Sequence, residues 1–156
     1  MQDGIRRMYG ENQENVFYYL TVMNENYAMP AMPEGAEEGI RKGIYKLESY
    51  AGDKSKVQLM GSGTIMNEVR KAATILSEDY GIASDVFSVT SFNELTRDGQ
   101  AVERDNMLHP EADAKVPYIA EVMGSEPAIA ATDYMKNYAE QVRAFMPSES
   151  YKVLGT

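Results

Sequence analysis

Gly61-Ser62-Gly63 is the stretch of this 156-residue chain whose residue types and spacing come nearest to a chemical motif. A nucleophile elbow places glycines two residues either side of its serine, and those positions hold Met60 and Thr64. A dinucleotide fingerprint needs a third glycine where Met66 stands, and a phosphate-binding P-loop needs a Gly-Lys pair that is missing. Two readings remain. One is a tight turn that lets a strand and a helix pack; the other is an anion seated on the helix N-terminus at Gly61 to Thr64, which would make the chain a free-standing small-ligand or anion-binding α/β module.

The other reactive side chains are sparse. His109 is the single histidine, so a triad or a histidine-based metal site would have to be built on it, and it stands next to Pro110 at a helix end. Glu34, Glu37 and Glu38 come from one segment, whereas cation ligands converge from several. There is no cysteine, hence no disulfide and no thiolate nucleophile. In an open α/β sheet a small ligand binds beyond the carboxyl ends of the strands. Those ends carry Ser62, Gly63, Thr90, Ser91, Thr132 and Asp133, a polar set with one acid and no base. The residues therefore predict no catalytic, cofactor-binding or metal-binding group on this chain.

The elements that would position these residues alternate between strand and helix. Val57 to Met60 is an apolar run of strand length, and after the glycine turn Ile65, Val69, Ala72, Ala73 and Leu76 share one helix face. Thr64 is the expected N-cap and Gly81 the expected stop. Gly43 to Ser49 reads as a strand joined by the short turn Ala51 to Ser55 to the next, which predicts an antiparallel pair. Further strands are expected at 85–90, 127–131 and 151–154. Helices are expected from Ser91 or Asn93 to about Met107, and from an Asp133 cap over 134–145; 117–123 is a short helix or strand. Such alternation predicts an α/β fold with a mostly parallel sheet and flanking helices.

The ends read differently. Met1, Ile5, Met8 and Tyr9 fall on one helix face, and the β-branched and aromatic run Val16 to Met23 has the composition of a strand buried on both faces. A helix without a cap and a strand without a sheet predict a chain cut from something longer. Asn24 to Pro33 has no periodicity and reads as a linker. The helix after it, starting at Pro33, has Gly35, Gly39 and Gly43 along one side, which reads either as a weak, solvated connector helix or, the reading favoured, as a smooth face against which another domain packs. Composition is that of a soluble globular protein, and 24 acidic against 15 basic residues disfavour nucleic acid and anionic membranes. No apolar run is long enough to cross a bilayer, and no leader is recognisable, which points to a cytoplasmic protein.

Several blocks carry a resemblance. Asn24-Glu-Asn-Tyr27, Met29-Pro30, Met32 to Tyr45, Ser88 to Phe92 and Ala131 to Met135 resemble the homodimeric bacterial pyruvate dehydrogenase family, the acetyl-transferring, decarboxylating component. The likeness runs the whole length; Asp105 departs from it, where the family usually has tryptophan. It implies a transketolase C-terminal-like fold preceded by the tail of a second α/β domain. Residues 1–30 would be the end of the pyrimidine-binding domain, 31–46 an interdomain linker and short helix, and 47–156 a C-terminal domain truncated at its end. It implies thiamine diphosphate and magnesium as cofactors of the parent enzyme, with none bound to this piece, because the family's cofactor and proton-transfer residues lie upstream of Met1. The implied partners are a second copy of the parent chain and the lipoyl-bearing acetyltransferase component of the complex. This piece would then be scaffold and dimer interface.

Overall fold

The computed structural model describes all 156 residues, which separate into two compact units, Met1–Pro30 and Ala31–Thr156. In the first, helix α1 (Gln2–Tyr9) is followed by chain without regular structure. The strand expected over 16–23 does not form: Phe17 and Val22 are 86% and 87% exposed. A strand needs a neighbour to take its backbone groups, and this unit has none. The expected apolar face of α1 is also largely open, with Ile5 and Tyr9 exposed. What α1 buries is Gly4, under the Tyr18 ring. Arg7 fastens the segment, donating to the Glu14 carboxylate and to the Tyr18 hydroxyl.

The second unit is a five-stranded sheet between helices. Its elements are α2 (Glu37–Lys42), β1 (Ile44–Tyr50), β2 (Ser55–Ser62), α3 (Met66–Tyr80), β3 (Ile82–Val89), α4 (Phe92–Leu108), α5 (Tyr118–Val122), β4 (Ala128–Thr132), α6 (Lys136–Glu140) and β5 (Tyr151–Leu154). The strand order is β1-β3-β2-β4-β5, parallel except for β1. Strands β2 and β3 lie inside the sheet and are covered on both faces. One face packs Met60 and Phe87 against Leu95 of α4, Ile119 of α5 and Phe145. The other packs Leu59 and Val86 against Met66, Val69 and Ala73 of α3.

Four local expectations are corrected. First, β1 and β2 do not form a hairpin, because β3 lies between them. Their connection passes over the start of β3: the amides of Asp53 and Lys54 both donate to the Gly81 carbonyl, and a Cβ on Gly52 would stand 2.2 Å from the Ala83 nitrogen. Crossing one strand means spanning about 10 Å, which a four-residue link does easily when extended. Second, α3 has no side-chain cap. A single 3-10 turn, Gly63–Ile65, precedes it, and Gly81 closes it in the left-handed conformation at φ 67°. Third, the helix expected over 134–145 is two pieces, α6 and a 3-10 turn at Arg143–Phe145. Its first residues are drawn off by Thr156, just beyond β5: the Lys136 amide donates to the Thr156 carbonyl, and the Thr156 amide to that of Tyr134. Fourth, α2 begins at Glu37 rather than Pro33, and its glycines do not make one docking face. Gly35 borders open space, Gly39 lies against Ile44 and Tyr45 of β1, and Gly43 is a left-handed cap at φ 105°.

Two core contacts set measurable limits. A Cβ on Gly99 of α4 would meet the Phe145 ring at 2.4 Å, so the helix lies directly on that ring. Gly99→Ala should therefore lower stability by ~1–3 kcal/mol in chemical denaturation, despite the gain in helix propensity. Gln58 of β2 is fully buried and clamps the turn before β4. Its amide donates to the Gly124 and Glu126 carbonyls, at 2.8 and 3.2 Å, and its carbonyl accepts from the Gly124 amide at 2.9 Å. Gln58→Leu keeps the volume but orphans both Gly124 groups, and should cost ~2–4 kcal/mol by the same measurement.

Candidate functional site

The carboxyl ends of the parallel strands are where a ligand would be sought, and Thr64, Thr90, Ser91, Thr132 and Asp133 there are all tied into hydrogen bonds. Thr64 Oγ1 donates to Asp133 Oδ2 at 3.1 Å, joining the turn after β2 to the turn after β4. Thr132 Oγ1 accepts from the Tyr134 amide at 3.1 Å. Thr90 Oγ1 donates to the Ile40 carbonyl at 2.8 Å, and Ser91 caps α4 by accepting from the Glu94 amide at 3.1 Å. Gly61 is the close-approach glycine, since a Cβ there would meet Met66 at 2.9 Å. Gly63 carries the positive φ, 73°, that lets the chain turn into α3. The Gly61 to Thr64 segment thus makes a strand-to-helix turn, and the Asp133 carboxylate beside Thr64 gives it a negative neighbour, unfavourable for an anion.

His109 and, of the acidic helix start, Glu38 are also partnered. His109 Nδ1 lies 3.2 Å from Asp105, whose other oxygen meets Lys115 Nζ at 2.7 Å. The hydrogen bond from Lys115 holds the Asp105 carboxyl below its ordinary range. Asn106 completes this joint by bonding both backbone groups of Lys115, so Asp105 and Asn106 together fold the 109–117 loop back onto α4. Glu38 pairs with Lys42 at 3.0 Å along α2, which lowers its carboxyl. Lys42 also lies over the Tyr118 ring, 4.5 Å from its centre. Across the chain, no three of the histidine and carboxylate side chains come together as a cation-binding set.

The densest charge cluster is inside the sheet and was not among the expected sites. Asp85, in the middle of β3, receives Lys46 Nζ from β1 at 2.8 Å, Lys56 Nζ from β2 at 2.7 Å and the Ser49 hydroxyl at 2.6 Å. The residue is 9% exposed. The strand expected over 85–90 would put Asp85 at its first residue; β3 begins at Ile82, so the acid is interior. An acid within the run Ile82 to Val89 was the available signal.

Two family models match consecutive parts of the chain: the pyruvate dehydrogenase E1 component middle domain over residues 1–30, and the transketolase-like C-terminal domain over residues 43–156. Among curated relatives, the pyruvate dehydrogenase E1 component of Escherichia coli strain K12 is 67% identical over 156 residues. The proteins of that name from Haemophilus influenzae and Pseudomonas aeruginosa are 61% and 57% identical over 158 and 159 residues. Each alignment covers 100% of this chain and 18% of the relative, so the chain spans about a fifth of the length of the proteins it matches. With its mostly parallel sheet and one antiparallel edge strand, flanked by helices on both faces, the chain belongs over residues 43–156 to the transketolase-like C-terminal domain family.

Proposed function

We propose that this chain is the scaffold and dimer-supporting part of a thiamine-diphosphate-dependent pyruvate dehydrogenase, the component that decarboxylates pyruvate and acetylates lipoyl groups. The observation that carries this reading is the 67% identity over all 156 residues to the Escherichia coli pyruvate dehydrogenase E1 component. The order of the two matched families along the chain, middle domain then C-terminal domain, supports it. On this reading residues 1–30 are the tail of the pyrimidine-binding domain, 31–46 a linker with α2, and 47–156 the C-terminal domain. The partners are a second copy of the parent chain and the lipoyl-bearing acetyltransferase, in the cytoplasm.

Thiamine diphosphate and magnesium would supply the carbanion chemistry in the parent enzyme. The residues of this chain do not fit that group, since no three carboxylate or imidazole side chains converge, and at the carboxyl ends Thr64, Thr90, Ser91 and Thr132 bond Asp133 or the backbone. Its contribution is mechanical: a rigid sheet whose carboxyl-end turns are fastened together.

The test is an exchange. Replacing the aligned segment of the Escherichia coli protein with these 156 residues should leave a dimeric enzyme that decarboxylates pyruvate at a comparable rate. The 156-residue chain alone, given thiamine diphosphate and magnesium, should not turn over. A folded, dimeric but inactive exchange protein, or turnover by the chain alone, would overturn the reading.

A further inference from the structure

Where it pairs with β3, strand β1 uses one residue more than its partner, Ile44 to Tyr50 against Ser84 to Val89. Its pairing with β3 runs Ile44 to Val89, Tyr45 to Ser88 and Lys46 to Phe87, then shifts, so that Glu48 meets Val86, Ser49 meets Asp85 and Tyr50 meets Ser84. Leu47 is the extra residue of a β-bulge. In a regular strand Lys46 and Ser49 would point to opposite faces. The bulge turns Ser49 to the face of Lys46, and both reach the same oxygen, Asp85 Oδ1, at 2.8 and 2.6 Å. It also sends Leu47 and Glu48 to the side of α3, where Leu47 packs on the smaller core and Glu48 accepts from Arg70.

The two halves of β1 are held by different means. The first is anchored by burial of Ile44 and by the Gly43 carbonyl, which accepts from the amides of Thr90 and Ser91. The second, residues 48–50, lies beyond the bulge at the sheet edge, with Ser49 exposed. A one-residue slip there would exchange its inward and outward side chains.

We infer that Asp85 is a latch for the bulge: by binding Lys46 before it and Ser49 after it, one carboxylate fixes the register of the outer half of β1. Lys56, on the opposite neighbour β2, takes the other oxygen and neutralises charge without touching the bulge. The charged groups around the carboxylate are Lys46 of β1 and Lys56 of β2, with Glu126 of the turn before β4 acting on Lys56. Burial alone would raise the Asp85 carboxyl; the hydrogen bonds from Lys46, Lys56 and Ser49 outweigh it and hold the group at about 2, below its ordinary 3.8. A lowered carboxyl stabilises only while ionised, so the latch is closed above about pH 4 and opens as pH falls toward about 2.

Amide exchange on the 156-residue chain tests this. At neutral pH, Asp85→Asn and Ser49→Ala should each speed exchange of residues 48–50 by about tenfold or more relative to β2 and β4, whereas Lys56→Met should not. Acid should produce the same selective opening in the unaltered chain between about pH 4 and pH 2, and not in Asp85→Asn. Should Asp85→Asn fail to fold, Ser49→Ala decides. Unchanged protection of residues 48–50 in Ser49→Ala, or equal opening in Lys56→Met, would overturn the latch.

Discussion

Strands β2 and β3 must be covered on both faces, and the rest of the second unit follows from that. Parallel strands cannot be joined by a tight turn, so each crossover has to travel over the sheet, and here it does so as a helix. Helix α3, between β2 and β3, covers one face; α4, α5 and α6 cover the other. Three glycines of this unit stand where packed elements come close: Gly61 against Met66 of α3, Gly99 of α4 against the Phe145 ring, and Gly52 where the β1–β2 link passes over β3. Burial of apolar area is the large favourable term in such an arrangement, and close packing limits how it can be altered.

Polar groups inside this frame are few, and those with hydrogen-bond partners fix position. Gln58 secures the turn that enters β4. Asp85 gathers groups from both strands that flank β3. At β5 the Tyr151 hydroxyl donates to the Ala139 carbonyl at 2.7 Å while burial raises its titration, so it remains a neutral donor. Buried hydrogen-bonding groups of this kind are costly to orphan, which gives each of them a positional role. The same economy holds at the carboxyl ends of the strands, where Thr64, Thr90, Ser91 and Thr132 bond to turns and helix ends.

The sequence alone determined the elements whose signals are local. Apolar runs of strand length marked β2, β4 and β5, the spacing of Val69, Ala73 and Leu76 marked α3, and Ser91 and Gly81 marked helix ends that form as expected. The lack of a third glycine or a Gly-Lys pair after β2 was equally legible, as was the likeness of the Met32 to Tyr45 block to one family. Tertiary structure decided what depends on a distant neighbour. Residues 16–23 have strand composition but no strand beside them, and so stay irregular. The link at 51–54 reads as a hairpin turn, yet β3, some thirty residues later, takes the place between its two strands, because an interior strand gains pairing on both edges. Asp133 reads as a helix cap and is instead claimed by Thr64, sixty-nine residues away. Asp85 reads as an ordinary strand-end acid until Lys46 and Lys56 are brought to it from two different strands. Periodicity reports the face a residue turns toward, whereas partner and register are set by long-range packing, which no local window contains.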